Sequence, residues 1–84
     1  MAHSIRFKTS AEKELGAFDG QQSARILREI RKLAANPRPS GCKKLKGRNE
    51  YRIRVGIYRV IYEIQDDVLV ILVVRVAHRR EAYR

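Results

Sequence analysis

Eighty-four residues carry 19 Lys and Arg against 9 Asp and Glu, a formal charge of +10, and 44% of them are hydrophobic. Chain of this length builds one small core, so a single domain over 1–84 is expected, and the apolar content excludes a disordered polycation. A lone Cys42 excludes an intramolecular disulfide and speaks against zinc, and neither a secretory signal core nor a membrane-length apolar run occurs.

The chain opens with alternation. Ile5 and Phe7 alternate with Ser4, Arg6 and Lys8, the pattern of a short strand. Thr9 to Glu12 has capping-box spacing, which predicts a helix from about residue 10 with Ala11, Leu15 and Phe18 as its buried stripe. Asp19-Gly20 is expected to end it. A second helix should run from about Gln21 to Ala35, turning Ile26, Leu27, Ile30, Leu33 and Ala34 inward and Arg25, Arg28, Glu29, Arg31 and Lys32 outward. Pro37 and Pro39 then forbid further helix. Lys43 to Gly47 has room for a brief extended piece.

Tyr51 to Tyr62 reads as a hairpin. Gly56-Ile57 suits a two-residue type II′ turn, which pairs Val55 with Tyr58 and Arg54 with Arg59. Tyr51, Ile53, Val55, Tyr58, Val60 and Tyr62 then share one face, and Arg52, Arg54 and Arg59 the other. Like charges opposite one another are unfavourable, so stability alone does not select Arg54 against Arg59. Three guanidinium groups on a rigid hairpin make an anion site, and RNA phosphate suits it.

Gln65 to Asp67 reads as the next turn, followed by a strand over Val68–Ala77. A three-residue connection pairs Ile64 with Val68 and sends Val70, Leu72, Val74 and Val76 into the core. Arg75, Ala77 and Arg79 then join the arginine face. A two-residue connection reverses the faces, and the uninterrupted apolar run cannot arbitrate. The whole is an α+β domain of order β-α-α-β-β-β, a helical hairpin packed on a small, mainly antiparallel four-stranded sheet.

The charge excess suits nucleic acid, an anionic membrane surface or an acidic protein partner. Arg is the better bidentate phosphate ligand and outnumbers Lys in the second half, which favours phosphate over a merely solvated surface. Lys43, Lys44, Lys46, Arg48, Arg75 and Arg80 are expected to extend RNA contact beyond the three hairpin arginines. His78, at the end of the last strand, is the group in that neighbourhood able to exchange a proton near neutral pH, although an isolated histidine is more often an ordinary exposed one. Tyr83 either anchors the tail on the sheet or stacks on a base. No phosphate-binding glycine loop, paired carboxylates or metal cluster is evident, so neither cofactor nor metal is expected.

The element order, with Phe7–Ala11, Asn36–Pro39, Lys44–Gly47, Tyr51–Gly56, Tyr58–Tyr62 and Val76–Tyr83, is similar to the RelE/ParE superfamily of bacterial toxins. The terminal His-Arg-x-x-x-Tyr resembles the RelE branch, whose members cut messenger RNA in the ribosome and are silenced by an antitoxin. The resemblance implies a cytoplasmic mRNA-cleaving toxin with an acidic, RelB-like antitoxin, the ribosome and mRNA as partners. Arg52 and Arg54 stand where that branch carries two basic residues that help activate the 2′-hydroxyl. Arg59 matches the arginine that steadies the scissile phosphate, Arg79 the one near the leaving 5′-oxygen, and Tyr83 the tyrosine that orients substrate. Arginine keeps its proton, so Arg52 and Arg54 suit charge stabilisation better than proton transfer. The alternative is a ParE-like inhibitor of DNA gyrase on the same fold, with no nuclease chemistry. A third is a chain whose cationic surface only docks its antitoxin.

Overall fold

In the computed structural model of the chain, residues 2–46 and 49–78 are described. Five strands, β1 (Ser4–Phe7), β2 (Lys43–Lys44), β3 (Glu50–Val55), β4 (Tyr58–Gln65) and β5 (Val70–His78), form one sheet in the order β1-β5-β4-β3-β2. Two helices, α1 (Thr9–Gly16) and α2 (Gly20–Lys32), lie between β1 and β2 in sequence. The sheet has five strands rather than the expected four, because Lys43 and Lys44 pair with Arg52 and Tyr51. Only β1 runs parallel to its neighbour, with Ser4 opposite Val70 and Phe7 opposite Val73.

Both helices cover one face. Their apolar stripes bury Ala11, Ile26, Ile30 and Leu33 against Ile53, Val55, Val60, Tyr62, Ile64, Ile71, Val73 and Val76. Alternation in β3 and β4 thus delivers every expected hairpin core residue to the helices, with Tyr51 and Tyr58 packed at the margin. Tyr62 is fully buried, and its hydroxyl donates to the Pro37 carbonyl oxygen at 2.7 Å, tying the loop after α2 to the sheet.

The helix ends differ from expectation for local reasons. Thr9 is the first residue of α1 instead of its cap. Lys8 takes the cap position without a side-chain bond, because its own N–H is spent on the Val73 carbonyl and the strand conformation persists through it. Asp19 starts α2 rather than ending α1: its Oδ1 accepts the Gln22 N–H at 3.0 Å. Helix α1 has already stopped at Gly16, and the Ser23 hydroxyl of α2 donates to the exposed carbonyl of Leu15 at 2.8 Å.

The largest correction concerns β5. Residues 66–69 form a four-residue connection, with Leu69 at φ 54°, so Gln65 pairs with Val70 and Ile64 with Ile71. Val70 and Leu72 therefore miss the core face, and Ile71 and Val73 take it. A bulge beside Ile61/Tyr62 then shifts parity, after which Val76 faces the core and Ala77 the arginine face, as expected, although the register that sets Ala77 opposite Arg59 is not the expected one. Val74 falls in the irregular stretch and packs against Ile61 and Ala77 on the open face. An apolar run on both faces concealed this shift, since either parity buries the same kinds of side chain.

Glu14 explains how the bulged half of β5 tolerates its edge. Strand β1 covers β5 only as far as Val73. Beyond it, Glu14 Oε1 accepts the Val76 N–H at 3.0 Å, and Oε2 accepts from Arg75 Nε at 3.3 Å. One carboxylate from α1 thereby replaces the missing strand and draws the Arg75 guanidinium towards the helix. At the other end of the sheet, Asp66 accepts from Arg38 at 3.0 Å and contacts His3 Nε2 at 3.0 Å. Hydrogen bonding by Arg38, then by His3, holds the Asp66 carboxyl below the usual carboxylate range.

Two outcomes follow from these contacts. Glu14→Ala should lower unfolding stability by about 1–3 kcal/mol in urea titrations, because it removes the acceptor of a part-buried N–H and one partner of Arg75, and Glu14→Gln should lose less by keeping the acceptor. Because its folded value is depressed, ionised Asp66 contributes stability above the unfolded carboxyl value near about 3.9, lost as pH falls through the folded one. Asp66→Asn should therefore melt lower than wild type at neutral pH, and the two melting curves should converge in strong acid.

Candidate active site

The hairpin β3–β4 sets the site. Gly56 stands at φ 61° while Ile57 does not take a positive φ, the signature of a type II′ turn. That turn imposes the expected register, Val55 opposite Tyr58 and Arg54 opposite Arg59. The open face therefore carries Arg54 against Arg59, with Arg52 opposite Ile61 one step in. Lys43 pairs with Arg52 and extends the basic row onto β2. Ile61 and Ala77, with Leu45 and Val74 packed on them, form a small apolar floor beside these cations.

The arginines are not equivalent. Arg54 is exposed and Arg59 half-buried, but Arg52 is only 6% exposed. Its Nε is buried without a hydrogen-bond partner. Arg52, expected beside Arg54 and Arg59 on the open face, is thus largely enclosed, and it borders a cleft. Burying a cation without a carboxylate costs stability, so such a group is poised to gain from an arriving anion. A cleft of about 190 Å³ is lined by Arg54, Gly56, Tyr58 and Arg59, a phosphate-sized recess at the turn.

The other expected site residues scatter. His78 pairs with Tyr58 and lies edge-on to its ring, centroids 6.4 Å apart, on the helix side of the sheet. Phe18 also packs on that tyrosine, ring centroids 4.6 Å apart. Lys44 pairs with Tyr51, on the opposite parity to Lys43, and Lys46 is exposed in the following turn. Arg75 lies opposite Ile61 in register, but its side chain is engaged by Glu14. Arg48, Arg79, Arg80 and Tyr83 lie outside the described residues. Sequence reasoning missed Glu14 and the wall formed by Glu29, Lys32 and Ser40 beside β3. The only prior signal for Glu29 and Lys32 was their place on the polar side of α2.

Arg52→Met keeps the aliphatic volume and removes the stranded charge. It should raise stability by about 1 kcal/mol, or about 4–8 °C in melting temperature for a domain this size, while weakening polyanion binding. A melting temperature below wild type would mean that the guanidinium is well satisfied in the folded state.

The fold and site also place the chain among known proteins. Its coordinates superpose on a chain of the toxin–antitoxin complex RelBE2 from Mycobacterium tuberculosis with a TM-score of 0.83 and 26% identity, covering 94% of this chain and 100% of that one. A chain of the archaeal RelE–RelB complex from Pyrococcus horikoshii gives a TM-score of 0.83 at 27% identity, covering 98% and 100%. The RelB–RelE complex from Methanococcus jannaschii gives 34% identity with a TM-score of 0.68, covering 89% and 91%. Among curated proteins no sequence matches. The family model described as the ParE toxin of type II toxin–antitoxin systems matches residues 5–83, and the chain belongs to that family, as a toxin of the RelE/ParE superfamily.

Proposed function

We propose that the chain is an endoribonuclease toxin that cleaves mRNA on the ribosome and so inhibits translation. The observation that carries this reading is the opposed Arg54–Arg59 pair beside the buried Arg52, whose Nε has no hydrogen-bond partner among the described residues. Like charges set opposite one another attract an anion, and a phosphodiester supplies negative charge along its whole length. Likeness to chains of RelE–RelB complexes supports the same reading.

The reaction it suits is internal transfer. The 2′-hydroxyl loses its proton and its oxygen bonds to the adjacent phosphorus. The bond from phosphorus to the 5′-oxygen breaks, and that oxygen takes up a proton. The products are a 2′,3′-cyclic phosphate and a 5′-hydroxyl. Arg54 and Arg59 stabilise the extra negative charge on the non-bridging oxygens, which suits residues that never give up their protons. His78, close to the turn through its contact with Tyr58, is the proposed proton-exchanging group. Arg79 would neutralise the leaving oxygen and Tyr83 orient a base. Lys43, Lys44, Lys46, Arg48, Arg75 and Arg80 would guide the flanking RNA. The expected partner is an acidic, RelB-like antitoxin in a cytoplasmic hetero-oligomer, supported by relatives solved as toxin–antitoxin complexes. Among the described residues no helix is long and apolar enough to cross a membrane.

The family model's description as a ParE toxin favours one second reading, a toxin that binds and inhibits DNA gyrase. Sequencing of RNA 5′ ends after brief expression separates the two. Cuts within translated frames, reduced about 100–1,000-fold in Arg59→Ala, are expected for the nuclease. His78→Ala should slow single-turnover cleavage about 100-fold or more. Intact RNA together with inhibited supercoiling by purified gyrase would overturn the nuclease reading.

A further inference from the structure

Arg54 is the common wall of two clefts. One is the small recess it shares with Arg59. The other, about 440 Å³, opens between the last turns of α2 and the edge of β3 that β2 leaves uncovered. A volume of that order falls within the range of about 300–1,000 Å³ usual for small-molecule sites, whereas the smaller recess is too small for a base with its ribose.

The chemistry of the larger cleft is mixed. Pro39 gives the cleft an apolar wall, and the nearly buried Leu33 and Ile53 form its floor. Lys32, Arg52 and Arg54 supply positive charge. Glu29 is the single carboxylate in the lining. Lys32 Nζ lies 2.9 Å from its Oε2, which orients the group, and no second partner engages Oε1 among the described residues. An ionised carboxylate only accepts hydrogen bonds, so within a cleft that attracts anions it selects ligands that also carry N–H donors. A nucleotide combines both: phosphate for the cations, and on cytosine, adenine or guanine an exocyclic amino group, which uracil lacks.

We propose that the larger cleft is a nucleotide subsite, which receives the base flanking the phosphate held at Arg54 and Arg59 and reads its exocyclic amino group through Glu29. The proposal rests on the reading of the arginine face as an RNA site, and it assigns that site a specificity residue. Glu29 lies on the outer surface of α2, so its replacement leaves the core intact.

The direct test needs no cleavage. Methyl-labelled toxin, freed from its antitoxin, is titrated in turn with CMP, AMP, GMP and UMP. The Leu33 and Ile53 methyl resonances should move, with at least one amino-bearing nucleotide bound about tenfold tighter than UMP, the order of one good base contact. Glu29→Gln, which offers donors as well as an acceptor, should erase that difference. The companion test compares the base composition flanking the cuts made by wild type and by Glu29→Gln on translating ribosomes, where the variant should gain uracil about tenfold at one position. Equal affinity of wild type for all four nucleotides, or shifts confined to residues away from Leu33 and Ile53, overturns the subsite. Wild type that cuts no RNA overturns the nuclease reading instead, and the nucleotide titration still decides whether the cleft discriminates between bases.

Discussion

The turn at Gly56 governs most of what this molecule presents to a partner. A two-residue connection with its first residue at positive φ permits one register between β3 and β4. That register places two arginines directly across from each other, an arrangement that costs energy in the isolated chain. The opposite face supplies the compensation. Ile53, Val55, Val60 and Tyr62 are buried beneath the helices, and each such side chain contributes about 1.5–3 kcal/mol. Slipping the hairpin by one residue would relieve the arginine pair only by turning this core set to solvent. The apolar face therefore holds the cationic face in place. Glycine is required at 56 by its positive φ rather than by space, since an added Cβ would meet only the movable tip of Arg25.

The second organising feature is the irregularity in β5. Without the bulge, the strand would keep one parity from Val70 to His78, and a strand that buries Ile71 and Val73 would then send Ala77 to the helices and leave Val76 outside. The bulge lets the strand satisfy the core at both ends while setting Ala77, a small residue, opposite Arg59. A bulge loosens an edge, and β1 is too short to cover it. Glu14 resolves this by taking an edge N–H and Arg75 at once. The proposed proton-exchanging residue His78 lies just beyond that anchor, so α1 helps to position a segment with which it shares no sequence proximity.

Arg52 shows the usual tension between stability and function. A buried guanidinium with an orphaned Nε is a cost the fold bears, and a methionine-shaped side chain would fit the same space more favourably. Its neighbours along the row, Lys43 and Arg54, are exposed and largely solvated. The row thus grades from enclosed to hydrated charge, and attraction for an anion is less screened at its centre than at its rim. Arginine rather than lysine at 52, 54 and 59 suits the proposed role of holding and stabilising charge.

The α+β class, both helices, the hairpin register and the Arg52–Arg54–Arg59 face were legible in the sequence, because each rests on local rules. Helical stripes repeat every three or four residues, strand faces alternate, and Gly56 selects its turn without help from distant residues. Tertiary structure decided the rest. The brief extended piece expected from Lys43 becomes a fifth strand because Tyr51 and Arg52 offer it an edge. The parity of β5 depended on a four-residue turn and a bulge, invisible in a run that is apolar on both faces. The start of α1 moved because the Lys8 N–H was claimed by β5. Glu14, Arg52 and Glu29 have ordinary sequence contexts. What distinguishes them is a long-range contact, a burial and a cleft, and each of these arises only when segments far apart in the chain are brought together.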